Sequence, residues 1–134
     1  SAGRVAGSFT HLAVWPATGG APWVGAATDL GAVQAYRAEE AGRDAQVPLR
    51  MLWSQDTDAD LATLWAGDSD GDGQGEFWAG TTDGAIVVYD AASGRLLGRR
   101  AATGSPVTAL LEWSSGGLMA LRRDGPAELL RRQP

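Results

Sequence analysis

The residues of this sequence best suited to chemistry are the acidic side chains of a short glycine-rich segment. The segment reads DSDGDGQGE, with carboxylates at Asp68, Asp70, Asp72 and Glu76. Alternate side chains point inward when a loop wraps around a centre, and the intervening glycines permit the curvature. Together with the backbone carbonyl of Gln74, these groups are hard oxygen ligands, which suit Ca²⁺ better than Mg²⁺ or a transition metal. A solvated acidic turn without an ion is the alternative interpretation.

The loop differs from an EF-hand, because its twelfth position is Ala79 instead of Glu and no helix is expected to flank it. A bound ion would have a structural role, since it would convert the repulsion of clustered carboxylates into a pinned hairpin. Calcium sites of extracellular modules bind at about 10⁻⁴–10⁻³ M. A site of this kind therefore favours an extracellular or cell-surface location.

The residue types present give little support for catalytic chemistry. Residues 67–71 match the G-x-S-x-G pattern of a nucleophile elbow, but a strand is expected after them and two carboxylates flank Ser69. The chain has no Cys or Lys and one His, His11, which we interpret as a packed or edge residue. A thiolate nucleophile, a Schiff-base lysine and a histidine- or cysteine-rich zinc site are thereby excluded. We predict a protein that is not an enzyme, with no catalytic and no cofactor-binding residues.

Composition limits the remaining functions. The 134 residues are sufficient for a single domain, and 44% of them are hydrophobic, so the chain can build a core. The net charge of −5 argues against nucleic-acid binding. No run approaches the roughly 18–20 apolar residues of a membrane span, so membrane insertion is not expected.

An internal repeat organises the elements that must position the acidic loop, and it predicts that the loop lengthens the hairpin between the first and second strands of its unit. Residues 23–42 read WVGAATDLGAVQAYRAEEAG, and residues 78–94 read WAGTTDGAIVVYDAASG. A weaker third copy, LMALRRDGPAELLR, covers 118–131, and a strand-like segment ending in Trp15, Trp65 or Trp113 precedes each copy. Each unit predicts short strands rich in β-branched residues and joined by tight Asp-Gly turns.

Four short strands recurring at this spacing are typical of a β-propeller blade. We predict an all-β fold of antiparallel four-stranded blades within one module over 1–134. The three blades are expected at approximately 9–53, 61–100 and 107–131. The outer strand of the third blade is missing, and residues 3–8 could replace it. Since propellers close with 4–8 blades, we expect a partial ring or one completed by oligomerisation; a β-sandwich of about ten strands is the alternative.

Two stretches carry a resemblance to known families. GDSDGDGQGEFWAGTTDG resembles the FG-GAP repeat, the calcium-loop blade of integrin-α-like propellers, and WAGTTDGAIVVYDAASGRLLGR is similar to blades of quinoprotein-like propellers. The FG-GAP resemblance implies Asp68, Asp70, Asp72 and Glu76 as side-chain ligands of Ca²⁺ and Gln74 as a backbone ligand. Glu76 departs from the family, whose members more often carry Asp at this position.

The sequence leaves three functions open. The first is a non-catalytic, calcium-binding propeller module for recognition or scaffolding, which binds a protein partner or associates with itself to complete the ring. The second is a fragment of a quinoprotein-type oxidoreductase. The third is a carbohydrate-binding module, because the chain contains six Trp, although we expect most of these rings to pack within or between blades.

Overall fold

A computed structural model describes residues 8–15, 23–38, 49–68, 75–114 and 117–130 of the chain. In these ranges the protein forms eleven β-strands arranged in three antiparallel sheets. Each sheet is built from consecutive strands in chain order, so every connection within a sheet is a hairpin. No helix of this part of the chain has the length and apolar character needed to cross a bilayer.

The strands of the first sheet are β1 (Phe9–Trp15), β2 (Trp23–Thr28), β3 (Ala32–Ala38) and β4 (Leu49–Asp56). Those of the second sheet are β5 (Leu61–Gly67), β6 (Glu76–Thr81), β7 (Ile86–Asp90) and β8 (Leu96–Arg100). The third sheet contains β9 (Val107–Ser114), β10 (Gly117–Arg122) and β11 (Glu128–Leu130). The segment predicted to supply its fourth strand, 3–8, lies outside the described residues except for its last one.

The turns explain why the repeat folds in this way. Gly84 has φ 93° in the turn between β6 and β7, and Gly125 has φ 98° between β10 and β11, conformations that glycine adopts readily. The backbone N–H of Ala85 donates to the hydroxyl of Thr81 at 2.8 Å, and the N–H of Ala32 donates in the same way to Thr28 at 3.2 Å. The predicted Asp-Gly turns are therefore confirmed.

Strand pairing shows that the first two sheets are copies of one unit. Trp15 pairs with Trp23, and Trp65 pairs with Trp78, at the same position of the first hairpin. The irregularity between the third and fourth strands also recurs, after Ala35 in the first sheet and after Val88 in the second. The repeat seen in the sequence is thus conserved in register as well as in residue type.

The three sheets stack in chain order, and the second is covered on both sides. One face of β6 and β7 contributes Phe77, Ala79, Val87 and Tyr89 to a core shared with the first sheet. The opposite face contributes Trp78, Ile86 and Val88 to a core shared with the third sheet, which includes Val107, Leu110, Leu118, Ala120 and Leu130. All six residues of β6 are consequently buried.

Two glycines allow the sheets to approach closely. A Cβ atom on Gly25 would lie 2.9 Å from the ring of Phe77, and one on Gly80 would lie 2.7 Å from Cβ of Val107. These glycines are equivalent in the repeat and face the next sheet in each case. Three sheets stacked this way resemble consecutive propeller blades, whereas a sandwich would have two sheets enclosing one core.

Candidate functional site

The acidic loop lies in the hairpin between β5 and β6, as the repeat predicts. Gly67 pairs with Glu76 across this hairpin, so Asp68, which directly follows β5, and Glu76, which begins β6, stand at the two ends of the loop. Asp68 is half-buried, and Glu76 is only 1% exposed. The other predicted ligands, Asp70, Asp72 and Gln74, lie outside the described residues, as does Ser69.

An aromatic and cationic cluster borders the loop on the first sheet. The ring of Trp15 covers Gly75, because a Cβ on this glycine would lie 2.3 Å from the indole. The ring of Trp15 is 6.4 Å from that of Trp23, and the guanidinium carbon of Arg37 lies 4.7 Å from the centre of the Trp23 ring. The first and second sheets therefore meet at the acidic loop.

His11 and the acidic residues of the segment 56–60 have structural contacts where they are described. His11 is half-buried on β1, and its Nδ1 lies 3.0 Å from the hydroxyl of Thr10. In the segment 56–60, the carboxylate of Asp56 accepts from the N–H of Asp58 at 2.9 Å, and Asp58 has a positive φ of 61°. Within the described ranges, no three acidic or histidine side chains lie close enough together to hold a metal ion.

The tryptophan side chains mostly pack between sheets, as expected for their repeated positions. Trp78 is 4% exposed, and Trp53 packs against the rings of Phe77 and Tyr89 at 5.9 and 5.6 Å. Trp65 is half-buried against the core between the second and third sheets. The side chain of Trp113 lies outside the described part of the chain.

The two outer sheets each have a face that no other sheet of the described chain covers. On the first sheet this face carries Leu12 and Val14 of β1, which are 63% and 56% exposed. Phe9, Leu49 and Met51 extend the same apolar surface and are each about half exposed. We call this surface the first flank.

The third sheet presents the second flank. Leu111 and Leu129 both pair with Met119, so the three side chains share one face of the sheet. Leu111 is 48% exposed and Leu129 is 41% exposed. Their neighbours Leu110 and Leu130 point to the other face, into the core shared with the second sheet.

The two flanks are complementary in position. Tyr36 of β3 lies on the first flank, and its equivalent in the second sheet is Tyr89. The Tyr89 ring packs against Trp53 of the preceding sheet. Leu111 of the second flank is equivalent in the repeat to Thr63 of the second sheet. The Thr63 methyl group lies on the same side of Gly80 as Val107, which belongs to the following sheet. The first flank thus corresponds to the face that receives a preceding blade, and the second flank to the face that receives a following one.

Arg122 is a structural residue that sequence reasoning missed. Arg123 follows Arg122 in the sequence, and such a pair is typical of a solvated face, yet the Arg122 side chain is only 8% exposed. Its Nη1 donates to the carbonyl oxygen of Gly84 at 2.8 Å, and its Nη2 lies 3.1 Å from the carboxylate of Glu128. The guanidinium therefore links the second sheet to the third, and only the stacking of these sheets reveals its role.

One carboxyl of the described turns has a perturbed pKa. The hydroxyl of Thr81 donates to the carboxylate of Asp83, and this hydrogen bond holds the pKa of Asp83 below its ordinary value of 3.8. The group stabilises the turn between β6 and β7. It lies at the opposite end of the sheet from the acidic loop.

Comparison with known proteins shows the fold. No family model matches the chain, and no curated protein matches it. The computationally designed Ika4 protein is similar over 98% of this chain and 95% of its own, with a TM-score of 0.51 and 16% identity. The structure of BBS1N in complex with ARL6DN is similar over 93% of this chain, with a TM-score of 0.53 and 14% identity. The chain spans 51% of that protein's length.

These likenesses, together with three stacked antiparallel sheets of four, four and three strands, show an all-β, propeller-like fold. At identities of 14–16% they bear on the fold alone. The predicted all-β blades are therefore confirmed.

Proposed function

We propose that this protein is a non-catalytic β-propeller module for protein recognition or scaffolding, and that its two flanks are the binding surfaces. The observation that carries the proposal is the exposure of apolar side chains on both outer sheets, with Leu12 at 63% and Leu111 at 48%. Contiguous apolar surface of this kind is characteristic of protein interaction sites. The flanks have the chemistry of the buried blade-to-blade contacts, so a partner that presents a blade-like sheet would suit them.

Self-association is one form of this function. A propeller needs 4–8 blades to close, and the described ranges of one chain contribute three sheets. Two chains arranged head to tail would place the first flank of each against the second flank of the other. The closed ring would then contain six blades, within the usual range.

The test compares charged substitutions on the flanks with one elsewhere. Leu12→Glu and Leu129→Glu place a carboxylate on the first and second flank, and Leu30→Glu is the matched control, because Leu30 is 62% exposed in a turn. Sedimentation velocity should show association of the wild-type chain and the control, and loss of association in both flank variants. A mixture of the two flank variants retains one unaltered pair of flanks and should associate partially.

If the wild-type chain is monomeric, binding of a fluorescent apolar dye decides whether the flanks are accessible. Dye binding that falls in both flank variants and not in the control would support recognition of a different protein. A monomer whose dye binding is equal in all variants would contradict the proposal.

The proposed module also includes a calcium site in the acidic loop, in agreement with the FG-GAP resemblance. The support is the placement of Asp68 and Glu76 at the two ends of the loop, directly after β5 and at the start of β6, beside the Trp15 ring over Gly75. Asp70, Asp72 and Gln74 would complete the oxygen ligands. The ion would hold the hairpin closed at the point where the first two sheets meet.

Thermal unfolding with calcium or chelator tests the ion. For a dissociation constant of about 10⁻⁴ M, 1 mM Ca²⁺ stabilises the fold by about 1.4 kcal/mol. We expect a higher melting temperature in calcium than in excess chelator, and loss of this difference in Asp72→Asn. The control Asp60→Asn should keep the difference, and equal melting temperatures for the wild-type chain in both solutions would exclude a calcium site.

A further inference from the structure

A cavity of about 200 Å³ opens between the second and third sheets. Its apolar lining residues from the second sheet are Trp78, Ile86, Val88, Leu97 and Gly98, and Leu130 is the lining residue from the third sheet. Arg99 and Arg100 of β8 complete its border. The lining residue Trp78 follows Glu76 by two residues on β6, whereas Ile86 and Arg100 pair at the opposite end of the sheet from the acidic loop. Neither flank includes the lining residues.

The repeat shows what closes the corresponding place between the first and second sheets. Ala35 pairs with Trp53 just before the irregularity of β3 and β4, and Val88 pairs with Gly98 at the same point of β7 and β8. Gly98 therefore occupies the position of Trp53. The Trp53 indole packs against Phe77 and Tyr89 of the second sheet. Their equivalents in the third sheet, 41 positions later, are the buried Leu118 and Leu130.

The space beside Gly98 is open among the described residues. A Cβ atom built on Gly98 meets none of their atoms within 4 Å, whereas one on Gly80 would lie 2.7 Å from Val107. An engineered apolar cavity of about 150 Å³ is large enough to bind benzene. A cavity of about 200 Å³ therefore has room for a somewhat larger planar ring system, similar to the indole that fills the equivalent place.

The indole N–H of Trp78 is a hydrogen-bond donor that needs an acceptor. Trp78 is 4% exposed, and its Nε1 is buried with no hydrogen-bond partner in the described part of the chain. In contrast, the Nε1 of Trp53 donates to the carbonyl oxygen of Ala91 at 2.8 Å. Leaving a buried N–H unsatisfied is costly, so a ligand with an acceptor atom at its edge is favoured over a hydrocarbon.

The charges near the cavity limit the class of ligand further. Glu128 contacts Arg100 at 2.6 Å and Arg122 at 3.1 Å, so two guanidinium groups share one carboxylate. This cluster carries a net positive charge. It disfavours a cationic ligand and tolerates a neutral or anionic one.

We propose that the cavity between the second and third sheets binds a planar, uncharged bicyclic heteroaromatic molecule with a hydrogen-bond acceptor in its ring. The apolar walls hold the ring system where the first pair of sheets holds the Trp53 indole. Trp78 lines the cavity, and its buried N–H is the donor that the acceptor of this ligand would satisfy. This site does not depend on the proposed function of the flanks.

The experiment compares quinoline, which has a ring nitrogen acceptor, with naphthalene, which has the same shape and no acceptor. Both are titrated into full-length protein carrying ¹⁵N-labelled tryptophan, and the indole N–H resonances are followed by NMR. The Trp78 signal is assigned by its loss in Trp78→Phe. Quinoline should shift this signal and bind about threefold to tenfold more tightly than naphthalene, in keeping with one additional hydrogen bond.

Two variants on β8 test the location. Gly98→Trp introduces the side chain found at the equivalent position and should weaken quinoline binding at least tenfold. Leu96→Trp is the matched control, because Leu96 is 51% exposed and points to the other face of the strand. It should leave binding unchanged, and equal affinity of Gly98→Trp and the wild-type chain would overturn the site.

The remaining outcomes are also decisive. Equal binding of the two probes to the wild-type chain would overturn the role of the Trp78 N–H. An affinity that falls as protein concentration rises would show that a second chain fills the cavity, and it would refute a small-molecule site. If Trp78→Phe does not fold, equilibrium dialysis of both probes with the wild-type chain and the two β8 variants gives the same decision.

Discussion

Replacement of Trp53 by alanine tests how the first two sheets are held together. Its indole contacts the rings of Phe77 and Tyr89 at centroid distances of 5.9 and 5.6 Å, and it covers the backbone at Gly94. Its Nε1 donates to the carbonyl oxygen of Ala91 at 2.8 Å. Trp53 therefore joins β4 of the first sheet to the hairpin after β7 of the second.

The size of the effect follows from these contacts. Truncation of a buried Trp to Ala costs about 3–5 kcal/mol, and because Trp53 is half-buried we take the lower end of this range. The lost hydrogen bond adds about 1 kcal/mol. We expect the free energy of unfolding to fall by about 3–4 kcal/mol, a large part of the 5–15 kcal/mol typical of a domain. For a domain of this size the melting temperature should fall by about 10–20 °C.

Urea unfolding followed by circular dichroism measures this change, and two further variants separate its causes. Trp53→Phe keeps an aromatic ring and loses the N–H donor, so it should cost about 1–2 kcal/mol. Leu30→Ala removes an exposed turn side chain and should cost less than about 0.5 kcal/mol. A loss below about 1 kcal/mol in Trp53→Ala, or one no larger than that of Leu30→Ala, would refute the packing of the first sheet on the second.

Three further changes have defined outcomes. Gly80→Ala brings a Cβ to 2.7 Å from Val107, so it should lower the free energy of unfolding by about 1–3 kcal/mol in urea titrations; an unchanged midpoint would contradict the close approach of the second and third sheets. Thr81→Val removes the hydrogen bond that lowers the pKa of Asp83 below 3.8. The wild-type carboxylate contributes stability above pH 3.8 that is lost as the pH falls through its lower native pKa, so the variant should lose less stability on acidification below this pH, and parallel pH profiles would exclude the effect. Arg122→Lys keeps the charge but not the forked donors that reach both adjacent sheets, and it should cost about 2 kcal/mol; full stability in calorimetry would show that a point charge suffices.

The sequence was sufficient to define the repeating unit, because its signals are local. Asp83-Gly84 and Asp124-Gly125 specify tight turns through backbone conformations that neighbouring residues cannot change. The alternating apolar residues around Tyr36 and Tyr89 specify strands, and the spacing of the tryptophans gives the order of the hairpins. The position of the acidic loop between β5 and β6 followed from the same repeat, while its calcium ion and its central ligands remain predictions.

Only the tertiary structure determined which face of each strand is covered and by what. No local sequence pattern predicts the burial of the Arg122 guanidinium, because its partners Gly84 and Glu128 become neighbours only when the second and third sheets stack. The cavity beside Gly98 has the same origin: a glycine in a strand carries no signal of space around it, and the comparison with Trp53 requires the paired registers of both sheets. Contacts between sheets depend on residues far apart in the chain, so periodicity along one strand cannot specify them.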